Sequence, residues 1–222
     1  ETIEMLAAAT LATTCLLMGE PRPDLLTRSL ELSATHHGPR LGRGPLVSRA
    51  QHALWDGDLP GARRHLEALR RAFVSAGSEF QRPYRLLDLA RLEMACGHLT
   101  AAADLVDDGL ESAGDARNGQ AETWLRHQEG LVWAHLGDHG RSERAADLLG
   151  RWGAEHDESP RVVMAHHIRG VDALARGDGD AAHRELLPAA RLAAGAGLRH
   201  PGWIPVTPEA ISACALVGDL DH

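Results

Sequence analysis

Six times along the chain a glycine is followed by an acid or by a residue standing in its place: Gly19-Glu20, Gly57-Asp58, Gly97-His98, Gly137-Asp138, Gly177-Asp178 and Gly218-Asp219. Successive glycines lie 38, 40, 40, 40 and 41 residues apart. Such a period marks an array of like units, each too small to bury its own apolar face without its neighbours. Two further positions keep the phase. Seven residues before the glycine stands a small residue (Ala12, Ala50, Ala90, Gly130 and Gly170, with Ile211 the exception). Five after it stands another in the central repeats (Ala62, Ala102, Ser142 and Ala182), and nine after it an apolar one (Leu66, Val106, Ala146 and Leu186).

A helical hairpin accounts for this spacing. Glycine ends a helix in the left-handed conformation without a Cβ clash. The acid beside it caps the next helix by accepting a backbone N–H at the positive end of the helix dipole. The two small residues lie where the paired helices cross. First helices are predicted near 3–18, 45–56, 83–96, 119–136, 160–176 and 207–217, and second helices near 23–35, 59–76, 99–113, 139–156 and 179–197. Pro45, Pro83, Pro160 and Pro208 fall near first-helix starts, where proline is tolerated. Pro188, inside a second helix, predicts a kink or an early stop. Residues 36–45, with three glycines and two prolines, read as a loop within one domain, because the phase resumes after them. Residues 1–222 thus form one domain of hairpins near 3–36, 45–76, 83–113, 119–156, 160–197 and an incomplete 207–222. A start without Met and an end where a sixth second helix should begin suggest a piece of a longer protein.

Composition agrees and excludes. Alanine and leucine supply 36 and 33 of the 222 residues, against four Ile, two Phe and one Tyr, so a large sheet has little to pack with. All 23 basic residues are Arg. Without a lysine ammonium, P-loop ATPases, Schiff-base enzymes and lysine-dependent kinases are ruled out. A formal charge of −8 offers no global attraction for a phosphate backbone, and Arg63, Arg64, Arg70 and Arg71 read as one solvated helix face, so no direct nucleic-acid contact is expected. Cys15, Cys96 and Cys214, odd in number and far apart, suit a reducing, cytoplasmic setting. The apolar stretch from Met5 to Met18 lacks a basic leader and is too short to cross a bilayer, so no membrane association is expected.

With Gly-Asp in the turn and small residues at Ala90 and Ala102, or Gly130 and Ser142, the chain resembles the tetratricopeptide repeat, at a longer period. Leu136-Gly137-Asp138, the run Arg169-Gly170-Val171-Asp172-Ala173-Leu174-Ala175-Arg176-Gly177-Asp178, and Leu186-Leu187-Pro188 are similar to the long helical region of large, MalT-like regulators of the bacterial LuxR family. The tail His200-Pro201-Gly202-Trp203-Ile204-Pro205-Val206-Thr207-Pro208-Glu209 is the most specific part of the likeness. The resemblance implies an all-α, right-handed superhelix of about six hairpins serving as a regulator's sensor segment. It would bind an inducer or a protein partner along its concave surface, with self-association a further outcome. Such regulators carry an ATPase before this region and a helix-turn-helix after it, and neither matches here. A stand-alone adaptor for proteins is the alternative.

No catalytic, cofactor or metal site is expected. The chain has no Gly-x-Ser-x-Gly elbow, no glycine-rich phosphate loop, no His-Glu-x-x-His and no Cys-x-x-Cys. His135 and His139 are four apart, but the intervening Gly137-Asp138 should end the helix and part the rings. Recognition remains. Counted from the phase glycine, offsets −13, −10, −6 and −2 share a helix face, and first helices line the inner surface of such arrays. Gln51, Trp55, Arg91, Trp124, His127, His135 and His167 occupy these offsets and form the candidate groove. The competing reading is that Trp55 and Trp124 fill gaps between hairpins.

The phasing is testable without a ligand. Ala102→Leu, at a helix crossing, should destabilise by about 1–3 kcal/mol, and Arg70→Gln, on the solvated face, by less than about 0.5 kcal/mol. Equal denaturant midpoints for the two variants would refute the phase.

Overall fold

In the computed structural model, which describes residues 2–35, 44–76, 79–200 and 202–219, eleven α-helices follow one another, and no strand occurs among the described residues. They are α1 (Thr2–Leu17), α2 (Pro23–Thr35), α3 (Pro45–Trp55), α4 (Leu59–Ala76), α5 (Arg82–Ala95), α6 (Leu99–Asp115), α7 (Gly119–Leu136), α8 (His139–His156), α9 (Ser159–Ala175), α10 (Gly179–Gly195) and α11 (Val206–Val217). Every end lies within two residues of the range read from the sequence. A 3-10 turn, Glu79–Gln81, leads into α5. The breaker-rich stretch expected as a loop lies, up to residue 43, outside the described residues.

The phase glycines do what the spacing implies. All six are left-handed, with φ between 74° and 80°. The residue after the glycine donates its backbone N–H back into the preceding helix: His98 to Glu93 at 2.9 Å, Asp138 to Trp133 at 3.0 Å, Asp178 to Ala173 at 2.9 Å. These bonds satisfy carbonyls that the helix end leaves open. The same acids then cap the next helix. Asp58, Asp138 and Asp178 each accept a backbone N–H three residues on, at 2.9 Å. His98 makes no such cap, and its Nδ1 instead meets Glu93 at 2.7 Å.

Each helix packs on the next, and α1 with α3, α5 with α7, α7 with α9 and α9 with α11 also touch directly. The small residues sit at these contacts. Ala12, Ala50, Ala90, Ala62, Ala102, Ser142 and Ala182 have no exposed surface. At Gly130 and Gly170 even a methyl group is too much: a Cβ would lie 2.5 Å from Ile168 and 2.3 Å from Leu186. The exception also has a reason. The last glycine comes one residue late, so Ala210 takes the buried place and Ile211 is 66% exposed. Helix α10 runs through Pro188 to Gly195 without the early stop, and Pro188 faces solvent. No helix among the described residues is long and apolar enough to cross a membrane.

Two glycines separate crowding from backbone freedom. Gly170→Ala should cost about 1–3 kcal/mol because Leu186 must move out of a packed core. Gly114→Ala, in the exposed last turn of α6 with open space around it, should stabilise by about 0.5–1 kcal/mol. Opposite shifts of the denaturant midpoint are the expected result.

Candidate functional site

Helices α1, α3 and α5 and the start of α7 enclose a cavity of about 380 Å³, within the range of small-molecule sites. Thr10 and Thr13 of α1, Gln51 of α3, and Tyr84, Asp88 and Arg91 of α5 line it, with Asn118 and Trp124 closing the far side. Three of the expected groove residues, Gln51, Arg91 and Trp124, therefore come together. Tyr84 stands at offset −13 from Gly97, on the stripe the arithmetic defines, and joins them. Asp88, four residues after Tyr84 and three before Arg91, shares their face of α5; Asn118 lies off the stripe, and only the packing of α5 against the α6–α7 turn brings it in.

The polar groups of the cavity are unequally satisfied. Asp88 forms an ion pair with Arg85 at 2.9 Å, and both are buried, but its Oδ2 accepts no hydrogen bond of good geometry. Asn118 caps α7: its Oδ1 accepts the Ala121 N–H at 3.1 Å and faces the Tyr84 hydroxyl at 3.3 Å. With the oxygen so used, the amide nitrogen must point the other way, and it is buried without a partner. Arg91 lies over the Trp124 ring, 5.3 Å from its centroid. Burial holds its pKa below the ordinary arginine value, with the Asp88 charge opposing the shift.

The remaining expected residues are elsewhere. Trp55 ends α3 beneath the segment that joins α10 to α11. There His200 packs against the Trp55 ring, 6.2 Å between centroids, and a Cβ on Gly202 would lie 2.5 Å from the Trp55 carbonyl oxygen. The backbone N–H groups of Arg199 and His200 both donate to the Leu17 carbonyl, at 2.9 and 3.1 Å. Trp203 meets Trp124 edge-on at 5.1 Å. This strap ties the last two hairpins to the ends of α1 and α3, and nothing in the repeat phase announces it. His127 and His167 are buried, one period apart, with His127 Nε2 2.9 Å from His167 Nδ1 and His167 Nε2 against the Glu209 carboxylate. His135 is exposed in the last turn of α7, away from the cavity lining.

A second hollow, between α7 and α8, is lined by Arg126, Glu129, Arg141 and Arg144. Its inner arginines are already paired: Arg126 with Glu129 at 2.9 Å and Arg141 with Asp107 at 2.9 Å. Among the described residues no group of three or more His, Cys, Asp or Glu is placed to hold a metal ion. Compared with known protein families, curated proteins and solved structures, the chain matches none.

The buried ladder has a pH signature. Burial, then the neighbouring charges of His167 and Arg91, hold His127 well below the ordinary histidine value. Below about pH 6.5 the unfolded chain takes up a proton there that the folded chain refuses. The contribution of His127 to stability is therefore complete above that pH and falls as the solution is acidified. In urea titrations between pH 7.5 and pH 5, His127→Gln should lose less stability on acidification than the parent chain.

Proposed function

We propose that the chain is a non-catalytic sensor segment of a LuxR-type transcriptional regulator. In this reading its hairpins wind into a right-handed, tetratricopeptide-like superhelix whose concave side is the face shared by the first helices. An inducer or a protein partner binds on that face, in the cytoplasm. The chain itself touches no nucleic acid, and self-association provides the route from binding to regulation. The observation that carries this reading is the cavity between α1, α3, α5 and α7, which gathers Gln51, Arg91 and Trp124 from three separate repeats. A site assembled from several repeats responds to how those repeats are set against one another, as a sensor requires. The strap supports it further. His200, Gly202 and Trp203, from the stretch that carries the most specific family likeness, lie on Trp55 and Trp124.

The test is a thermal-shift screen of the purified chain against sugars, short peptides and nucleotides. A ligand present at a hundred times its Kd should stabilise by about 2.7 kcal/mol. Trp124→Ala should abolish the shift, while Trp152→Ala, at α8, should preserve it. Stabilisation by peptides alone would favour the adaptor. Saturable ATP hydrolysis that co-purifies with the chain would overturn the non-catalytic reading.

A further inference from the structure

We infer that the cavity between α1, α3, α5 and α7 binds a small organic carboxylate with a planar apolar body, Arg91 serving as its counter-cation and Trp124 as its platform. This rests on the proposed recognition face and names the chemistry of its ligand.

Charge comes first. Among the described residues the only acid lining the cavity is Asp88, which Arg85 neutralises at 2.9 Å, so Arg91 leaves these walls with one positive charge in excess. The chain around it carries a formal −8. Half-buried Arg63, Arg126, Arg141 and Arg169 are matched, by Glu93, Glu129, Asp107 and Asp147, whereas Arg49, outside the cavity lining, has a buried Nε without a partner. Among the described residues no carboxylate pairs with Arg91, whose interactions are with the Trp124 face and, through space, with Asp88 and His127. A partly desolvated guanidinium presents paired N–H groups that fit a carboxylate edge-on.

The second observation is independent of Arg91. Asn118 is 7% exposed and lines the same cavity, and its Oδ1 is taken up by the α7 cap. Its unpartnered NH₂ lies buried behind the wall, with no exposed surface of its own. A buried donor without an acceptor is unfavourable, and a small shift of the side chain would bring it to a ligand oxygen that relieves it. One net charge with one spare amide donor suits a monoanion better than a phosphate dianion. The Trp124 and Tyr84 rings supply flat apolar area for the rest of the molecule.

The experiment uses matched pairs: benzoate with benzamide, indole-3-acetate with indole-3-acetamide, and 4-phenylbutyrate with its amide. Saturation-transfer NMR detects binding, and tryptophan fluorescence titration ranks it. The acids should bind at least about tenfold tighter than their amides, the loss expected when a charge-assisted hydrogen bond is removed. Arg91→Met should erase that preference, Arg91→Lys should retain part of it, and Arg64→Gln should leave it intact. Inorganic phosphate should compete poorly. The inference is overturned if the amides bind as well as the acids, if the preference survives in Arg91→Met, or if phosphate displaces the acids at equal concentration. Neutral binders that disappear in Trp124→Ala would leave the recognition face standing and remove only the anion. Absence of binding by either member of every pair would overturn the carboxylate site, and the recognition face would then stand or fall on the sugar, peptide and nucleotide screen.

Discussion

The left-handed glycine at the end of each first helix is the constraint on which the other contacts depend. A residue with a Cβ is disfavoured at φ near 80°, so each glycine holds its turn in one geometry and sets where the next helix begins. The acid beside it then has a backbone N–H to cap, and the small residues before and after it meet at the helix crossing. Where the pattern is broken, the structure answers locally. His98 trades its cap for a contact with Glu93, and the late Gly218 hands the buried position from Ile211 to Ala210.

A period of 40 residues also stacks like positions on successive first helices. Where those positions are alanine or glycine, the result is close packing. Where they are polar, side chains reach each other across repeats, as His127 reaches His167 one period on, and Glu209, out of phase with both, closes the file on His167. Such a file is buried because its helices are in contact, and it holds together because each member offers its neighbour a partner. The cavity forms where neighbouring first helices do not fill the space between them, and there Arg91, with no carboxylate beside it, faces Trp124.

The strap changes the character of the array. Units that touch only their neighbours would leave the ends independent. Arg199 and His200 bonded to Leu17, Gly202 pressed on Trp55, and Trp203 against Trp124 join residues far apart in the chain. Both tryptophans that the stripe places on one wall thereby acquire a second role as surfaces for the chain itself. Trp124 retains its cavity face, and Trp55 does not line the cavity.

Helix number, helix ends and crossing residues were legible in the sequence because each depends on residues within one hairpin. A turn glycine, a capping acid and an alanine at a fixed offset act over a few residues, and the period repeats their signal six times. The cavity was partly legible for the same reason: Gln51, Arg91, Trp124 and Tyr84 occupy one stripe defined by helix geometry. Only the tertiary structure decided the rest. Whether Arg91 is paired depends on which acids the neighbouring helices bring near it; that Asp88 is taken by Arg85, three residues before it on the same helix, is by contrast a local pairing. The spare nitrogen of Asn118 follows from a cap and a Tyr84 contact that meet from two elements. The strap has no periodic signal because it occurs once, and its partners lie 79 to 183 residues away in the chain; close fit in three dimensions, above all a glycine where a Cβ would strike Trp55, is what holds it.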